Sequence, residues 1–151
     1  FASIRSTSDQ NGARPRVPKA DALTLKNPKV YSDSYQFAIQ IFYRTKAFQK
    51  ALRPTLGRRL EESALDLVVA VRAFSVAKSG SATKANAISR ASRILDEMRI
   101  VLQMSYDMHQ LGDSGYGELC ELSAAMGKQF GGLLKHLGGG GSAGQEEPAA
   151  S

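Results

Sequence analysis

Apolar residues recur at helical spacing through the middle of the chain. Phe37, Ile41, Phe48 and Leu52 share one stripe and predict a first helix over about 33–52. Pro54 lacks an N–H and clashes with the preceding turn, so it is expected to stop that helix. Leu60, Ala64, Leu67, Val71 and Phe74 form an a/d seam. They predict a second helix over about 56–78, with Thr55 as N-cap and Gly80 as the C′ residue. Leu65, Val68 and Val69 widen that seam, so burial on more than one side is expected. A third helix over about 83–111 carries Ile88, Ala91, Leu95, Met98 and Leu102 on one stripe, with Ile94, Val101 and Met108 on a second. Gly112 is expected to end it. The fourth runs from Ser114 or Tyr116 to Leu137, with Leu119, Leu122, Met126, Phe130, Leu133 and Leu137 inward. Gly127, Gly131 and Gly132 weaken it by about 1 kcal/mol each relative to Ala and would let another helix approach closely.

No strand emerges from this pattern. The expected connections, near 53–55, 79–83 and 111–115, are short, and short connections make sequential helices antiparallel neighbours. The expected fold is all-α, an antiparallel up-down-up-down four-helix bundle over 31–137. Residues 1–30 read as a flexible basic arm. They hold Pro15, Pro18 and Pro28, and set Arg5, Arg14, Arg16, Lys19, Lys26 and Lys29 against Asp9 and Asp21. Residues 138–151 read as a flexible Gly-rich tail carrying Glu146 and Glu147. Its Gly-Gly-Gly-Gly-Ser run has the composition of a linker, native or added. The second apolar stripes on the middle helices point to a homo-oligomer.

Composition narrows the function classes. The chain has 151 residues, Lys+Arg 20 against Asp+Glu 14 and a formal net charge of +6. Its sequence pI is about 9.6. The single cysteine, Cys120, permits no intramolecular disulfide and no Cys-based metal cluster. The longest apolar run, Leu67 to Val71, is far below the ~18 residues of a membrane span. The chain opens on Phe1, which suggests a processed, truncated or engineered start, and no apolar secretory stretch follows. A basic, intracellular, cytoplasmic protein with no membrane partner is expected.

Catalytic and metal patterns are weak. A carboxylate-bridged di-iron bundle needs Glu three residues before His on two helices. Here Tyr106 precedes His109 and Leu133 precedes His136 at that spacing, and Glu97 and Glu118 have no His partner. Each histidine lies near a helix end, where the dipole explains it. Cys120 has no His or Asn beside it in sequence and reads as a small buried hydrophobe. No phosphate-binding Gly-rich loop is present. The expectation is a protein that is not an enzyme, with no cofactor and no metal.

Basic charge is more informative. Between Ser34 and Leu60 stand Arg44, Lys46, Lys50, Arg53, Arg58 and Arg59 with no acid, followed by Glu61, Glu62 and Asp66. In a bundle this run gathers at one end. Arg90, Arg93 and Arg99 add a row on the third helix. Such clusters neutralise phosphates and supply most non-specific nucleic-acid affinity, so Arg44, Lys46, Lys50, Arg53, Arg58, Arg59, Arg90 and Arg93 are the candidate contacts. Tyr35 and Tyr43, near the cluster in sequence, are candidates for base stacking or for packing. Arg58 and Arg59 stand at an expected helix N-terminus, where positive charge is unfavourable and no compensation is evident.

The stretch Phe48-Gln49-Lys50, then Thr55-Leu56-Gly57-Arg58-Arg59-Leu60-Glu61-Glu62 and Ala64-Leu65-Asp66, resembles the accessory variability determinant (Avd) proteins of diversity-generating retroelements. More distantly, it is similar to the four-helix-bundle family encoded in 23S rRNA intervening sequences. Gly131-Gly132-Leu133-Leu134-Lys135 is similar to the family's ending, and Arg90, Leu95, Arg99 and Leu102 follow its basic-apolar rhythm. The likeness covers about 34–137, and Gln49 stands where the family often has Pro. The resemblance implies a homopentamer with a positive surface. It also implies binding to a reverse transcriptase and its template RNA, and support of mutagenic cDNA synthesis without chemistry of its own. DNA is the second nucleic acid to consider. One rival is an interaction module whose basic face binds an acidic protein, and another is an intervening-sequence-type protein of undefined role. An enzyme with a cofactor in the bundle core is a third.

Overall fold

The computed structural model describes residues 28–150, with side chains described as far as Gly138. The arm expected over 1–30 lies outside the described residues up to residue 27. Four α-helices follow in order: α1 Lys29–Thr45, α2 Arg58–Val76, α3 Ala82–Asp107 and α4 Asp113–Ala150. A short π-helical segment, Arg53–Gly57, precedes α2. Contacts run α1 to α2, α2 to α3, α3 to α4, and α1 to α4, so the four-helix bundle closes as a ring of antiparallel neighbours. Its core is the expected set of inward stripes: Phe37 and Ile41, Leu60 with Leu67 and Val71, Ile88 with Leu95 and Leu102, and Leu119 with Met126 and Phe130, all buried.

The first helix is shorter than expected. It ends at Thr45, nine residues before Pro54. Thr45 is buried, and its hydroxyl bonds both the Phe42 carbonyl and the Glu61 carboxylate of α2. Phe48 then turns into the core from the connection, not from a helix, and Leu52 is half-buried. Pro54 opens the next helical segment instead of closing the previous one, which suits a residue whose missing N–H is not needed in a first turn. Thr55 is no N-cap. Its hydroxyl donates to the Leu52 carbonyl, and the residue before α2 is Gly57 in helical conformation with no side-chain cap.

The other connections are fastened by specific polar groups. Lys84 of α3 donates from Nζ to the Phe74 carbonyl at 2.8 Å and lies 4.2 Å from the Phe74 ring centroid. A cation thus sits on the carbonyls at the C-terminus of α2, where that of Phe74 also accepts from the Ala77 N–H at 3.4 Å. Ser81 caps α3 by accepting from the Lys84 N–H at 3.2 Å. Gly80 adopts φ +77° in the same turn, four residues past Val76 instead of at C′. α3 ends at Asp107, before Gly112, in a Schellman motif. His109 takes the left-handed position at φ 61°, with its N–H on the Tyr106 carbonyl and the Gln110 N–H on the Ser105 carbonyl.

Not every expected apolar contact forms within the chain. Leu65 and Val69 of α2 are 54% and 63% exposed, and Met108 is 45% exposed, so these side chains face outward. Val68, Ile94 and Val101 pack partly against the core. The fourth helix is traced to Ala150, beyond the expected end at Leu137. Leu137 is the last described side chain packed on the core, and the Gly-rich tail lies almost wholly outside the described side chains. At Gly131 and Gly132 no helix approaches, because an added Cβ would meet nothing within 4 Å.

Candidate nucleic-acid interface

Antiparallel packing places the C-terminus of α1, the connection 46–57, the N-terminus of α2, the C-terminus of α3 and the N-terminus of α4 at one end of the bundle. Arg44, Lys46, Lys50, Arg53, Arg58 and Arg59 therefore do gather there. They are not equivalent. Arg44 is held along the α1–α4 seam, its Nη2 2.7 Å from Glu118 Oε1, with both side chains about two-thirds buried. It lies over Gly115, where an added Cβ would stand 3.0 Å from Nη1, and its buried Nε has no hydrogen-bond partner. Arg44 is thus a fastener between helices rather than an open phosphate contact.

Arg53 is exposed but partly engaged. It donates from Nε to the Phe48 carbonyl at 3.2 Å and from Nη2 to the Lys46 carbonyl at 3.3 Å. That closes the connection on itself and satisfies carbonyls that no helix pairs. Arg58 forms an exposed ion pair with Glu62 at 2.9 Å, one helical turn on. This supplies the compensation that the sequence pattern did not make evident, and the preceding π segment moves both arginines away from the first open turn. Lys46, Lys50 and Arg59 are exposed, and among the described residues no carboxylate lies within ion-pair distance of them.

Arg90 and Arg93 are exposed on α3. They stand about 16–21 Å along the helix axis from Met104, the α3 residue beside Arg58 and Arg59. The structure does not bring them to the cluster. Arg99, further along α3, crosses to α4 and donates to the Ser123 carbonyl at 3.0 Å while pairing with Asp96 at 3.1 Å.

Two shallow grooves flank the connection. One is lined by Tyr43, Arg44, Lys46, Ala47 and Gln110 to Gly112. The other is lined by Pro54, Leu56, Arg58, Arg59, Glu62, Val101 and Met104. Tyr43 is half-buried, with the Arg44 guanidinium 5.9 Å and the Lys46 ammonium 6.0 Å from its ring centroid. Tyr35 is not part of this end. It sits two turns away on α1, 6.2 Å from Tyr31 by ring centroid.

The same end carries acids. Tyr106 and Tyr116 stack at 4.3 Å, and the Tyr106 hydroxyl donates to Asp113 Oδ1 at 2.6 Å. That bond and the Asp113 charge raise the Tyr106 pKa above the ordinary phenol value. Tyr116 is raised by its hydrogen bond with Cys120 and by burial. Cys120 itself is half-buried. Gln110 has no place in the sequence analysis, and Glu118 enters it only as a carboxylate without a His partner. Gln110 accepts from the Gln49 N–H at 2.8 Å and donates to the Met108 carbonyl at 2.9 Å. Both partnerships of Gln110 and the Arg44–Glu118 pair join segments far apart in sequence or unusual turns, and no local pattern announces them. Glu62 stands four residues after Arg58, a spacing that carries the pair but that the sequence analysis did not use.

Among the described residues no group of three His, Cys, Asp or Glu side chains is placed to hold a metal ion. No described helix is long and apolar enough to cross a membrane. No family model, curated protein or solved structure matches this chain.

Proposed function

We propose that this chain is a non-enzymatic accessory protein that binds nucleic acid through the connection between α1 and α2. The observation that supports this reading is the set Lys46, Lys50 and Arg59, exposed and with no carboxylate within ion-pair distance among the described residues, with Arg53 and Arg58 exposed beside them. Each such cation that meets a phosphate releases a condensed counterion, which favours binding independently of sequence. The likeness to Avd proteins gives the reading its context. In that context the partners are a reverse transcriptase and its template RNA, and the role is to support mutagenic cDNA synthesis.

RNA affinity measured against salt tests it. Log affinity is expected to fall with log salt at about −0.7 per phosphate contact on single strands and about −0.9 on duplex. The triple variant Lys46→Glu, Lys50→Glu, Arg59→Glu is expected to lose most of that slope. A flat salt response, or unchanged binding by the triple variant, refutes the reading. Arg44 is left intact in this test because its loss would disturb the α1–α4 seam.

Assembly belongs to the same proposal. Leu65, Val69 and Val76 share an outward line on α2, Ile100 and Met104 share one on α3, and Met108 follows just past its end, all 45% exposed or more. Apolar side chains in such lines favour a protein partner, and the resemblance makes that partner further copies of the chain, in a pentamer. Sedimentation is expected to give a species several times the 16.2 kDa chain mass. The chain mass alone at every concentration, with and without RNA, would remove this element.

A further inference from the structure

We infer that the outward face of α2 and α3 pairs with the same face of a second copy, the helices of the two copies running antiparallel about a two-fold axis. The inference rests on the assembly element above and names the surface by which copies meet and its sense.

Two lines of side chains make the face. Glu62, Leu65 and Val69 follow one another on α2 at spacings of three or four residues, and Arg93, Glu97, Ile100 and Met104 do so on α3. All of them are exposed. The groove that holds Arg58 and Glu62 together with Val101 and Met104 sets the register between the helices. Counting away from it at about 1.5 Å per residue brings Leu65 level with Glu97, and Val69 level with Arg93. Neither Arg93 nor Glu97 has an ion-pair partner among the described residues. Two opposite, unpaired charges thus stand one turn apart beside two exposed apolar side chains.

Symmetry selects the pairing. A two-fold axis that crosses the helices between these two levels reverses their order in the second copy. Leu65 then meets the partner's Val69, and Glu97 meets the partner's Arg93, each contact occurring twice. A two-fold axis along the helices would instead lay α2 on the partner's α3 at equal levels. That sets Leu65 and Asp66 against the partner's Glu97, and Val69 against the partner's Arg93, so both charges meet apolar or like-charged groups. Size is sufficient. Two helices each about 10 Å wide, the shorter of 19 residues, present a face of about 600 Å2. A pair buries about twice that, the lower end for a specific interface. The antiparallel sense puts the two basic connections at opposite ends of the pair.

Native mass spectrometry of the full chain tests the symmetry. A two-fold contact joins chains in pairs, so an even number is expected, and a ring of five holds the contact only when doubled to ten. An odd number of chains, five included, overturns the inference and leaves the assembly element standing. A single chain at every concentration removes both. Mixing tests the charges. Arg93→Glu sets Glu against Glu97 across the axis, and Glu97→Arg sets Arg against Arg93. Each variant alone is expected to self-associate about tenfold more weakly than the wild type in sedimentation. An equal mixture of the two is expected to regain most of that loss, because every contact across the axis between unlike variants is then Glu to Arg. Both positions are exposed, so neither change disturbs the core. Single variants that associate as tightly as the wild type, or a mixture no tighter than its components, overturn the inference.

Discussion

Within α4, one substitution type is expected to have three outcomes, set by what lies over each glycine. Ala is favoured over Gly in a helix interior by about 0.8–1.0 kcal/mol. At Gly131 and Gly132 an added Cβ meets nothing within 4 Å, so Gly→Ala is expected to stabilise by about that amount at each. At Gly115 the Cβ would stand 3.0 Å from Arg44 Nη1 and 3.2 Å from its Cζ. Arg44 does not yield easily, because its Nη2 is 2.7 Å from Glu118 Oε1 and its side chain is only 28% exposed. A hydrogen bond between charged groups contributes about 1.5–3 kcal/mol when buried. Solvent at this exposure reduces that to about 1–2 kcal/mol. Gly115→Ala is therefore expected to destabilise by up to about 1 kcal/mol despite its better helix propensity. At Gly127 the colliding atom is the tip of the Arg99 guanidinium, an exposed group that can swing away at the cost of its bond to Ser123. Gain and loss should nearly cancel there. Urea unfolding followed by circular dichroism measures all three, with 1 kcal/mol equivalent to about 2–4 °C in Tm for a chain of this length. If Gly115→Ala stabilised as much as Gly131→Ala, Arg44 would not be seated as described. Destabilisation at Gly131 and Gly132 would show a further helix against that face, the close approach that the glycine pattern first suggested.

Three further outcomes follow from the same end of the molecule. Arg44→Met should cost about 1–2 kcal/mol, and Glu118→Met added to it should restore most of that loss; additive losses in this double-mutant cycle would contradict the pairing. His109→Gly should stabilise by about 1 kcal/mol in the same unfolding assay, because a non-glycine residue at φ 61° is strained, and a loss would mean the imidazole makes a compensating contact. Tyr106 donates to a carboxylate, which favours its neutral form and raises its folded pKa. The associated stability is therefore complete at neutral pH and is lost as pH rises through that raised value. Asp113→Asn should lower the Tyr106 titration, read from phenolate absorbance, and an unchanged curve would break the link.

The inward stripes were legible because a buried helix must repeat apolar residues every three or four positions, and nothing else in the chain produces that period over so many turns. The same rule misled at the end of α1. Phe48 lies seven residues after Ile41 and so continues the period, but the structure delivers it to the core from a turn. Periodicity reports that a side chain reaches the core, not the backbone that carries it there. The buried Thr45 at the end of α1 donates to Glu61, a partner that approaches only once α2 has folded back.

The candidate site shows the same division more sharply. Acid-free sequence between Ser34 and Leu60 located the cations at one end, because helix order and short connections fix which segments meet. It did not sort them, because sorting depends on partners from elsewhere. Glu118 is 74 residues from Arg44 in sequence, and the bond between them turns one member of the cluster into a fastener. Arg53 is turned onto the carbonyls of its own connection, a geometry that exists only after α1 has stopped early. Once those two are set apart, the cations still open to a phosphate are Lys46, Lys50 and Arg59, with Arg58 shared with Glu62. A count of basic residues overstates the site, whereas the three exposed side chains state what charge reversal must remove. The salt slope of the triple variant is therefore a sharper measure of the proposed interface than the net charge of +6.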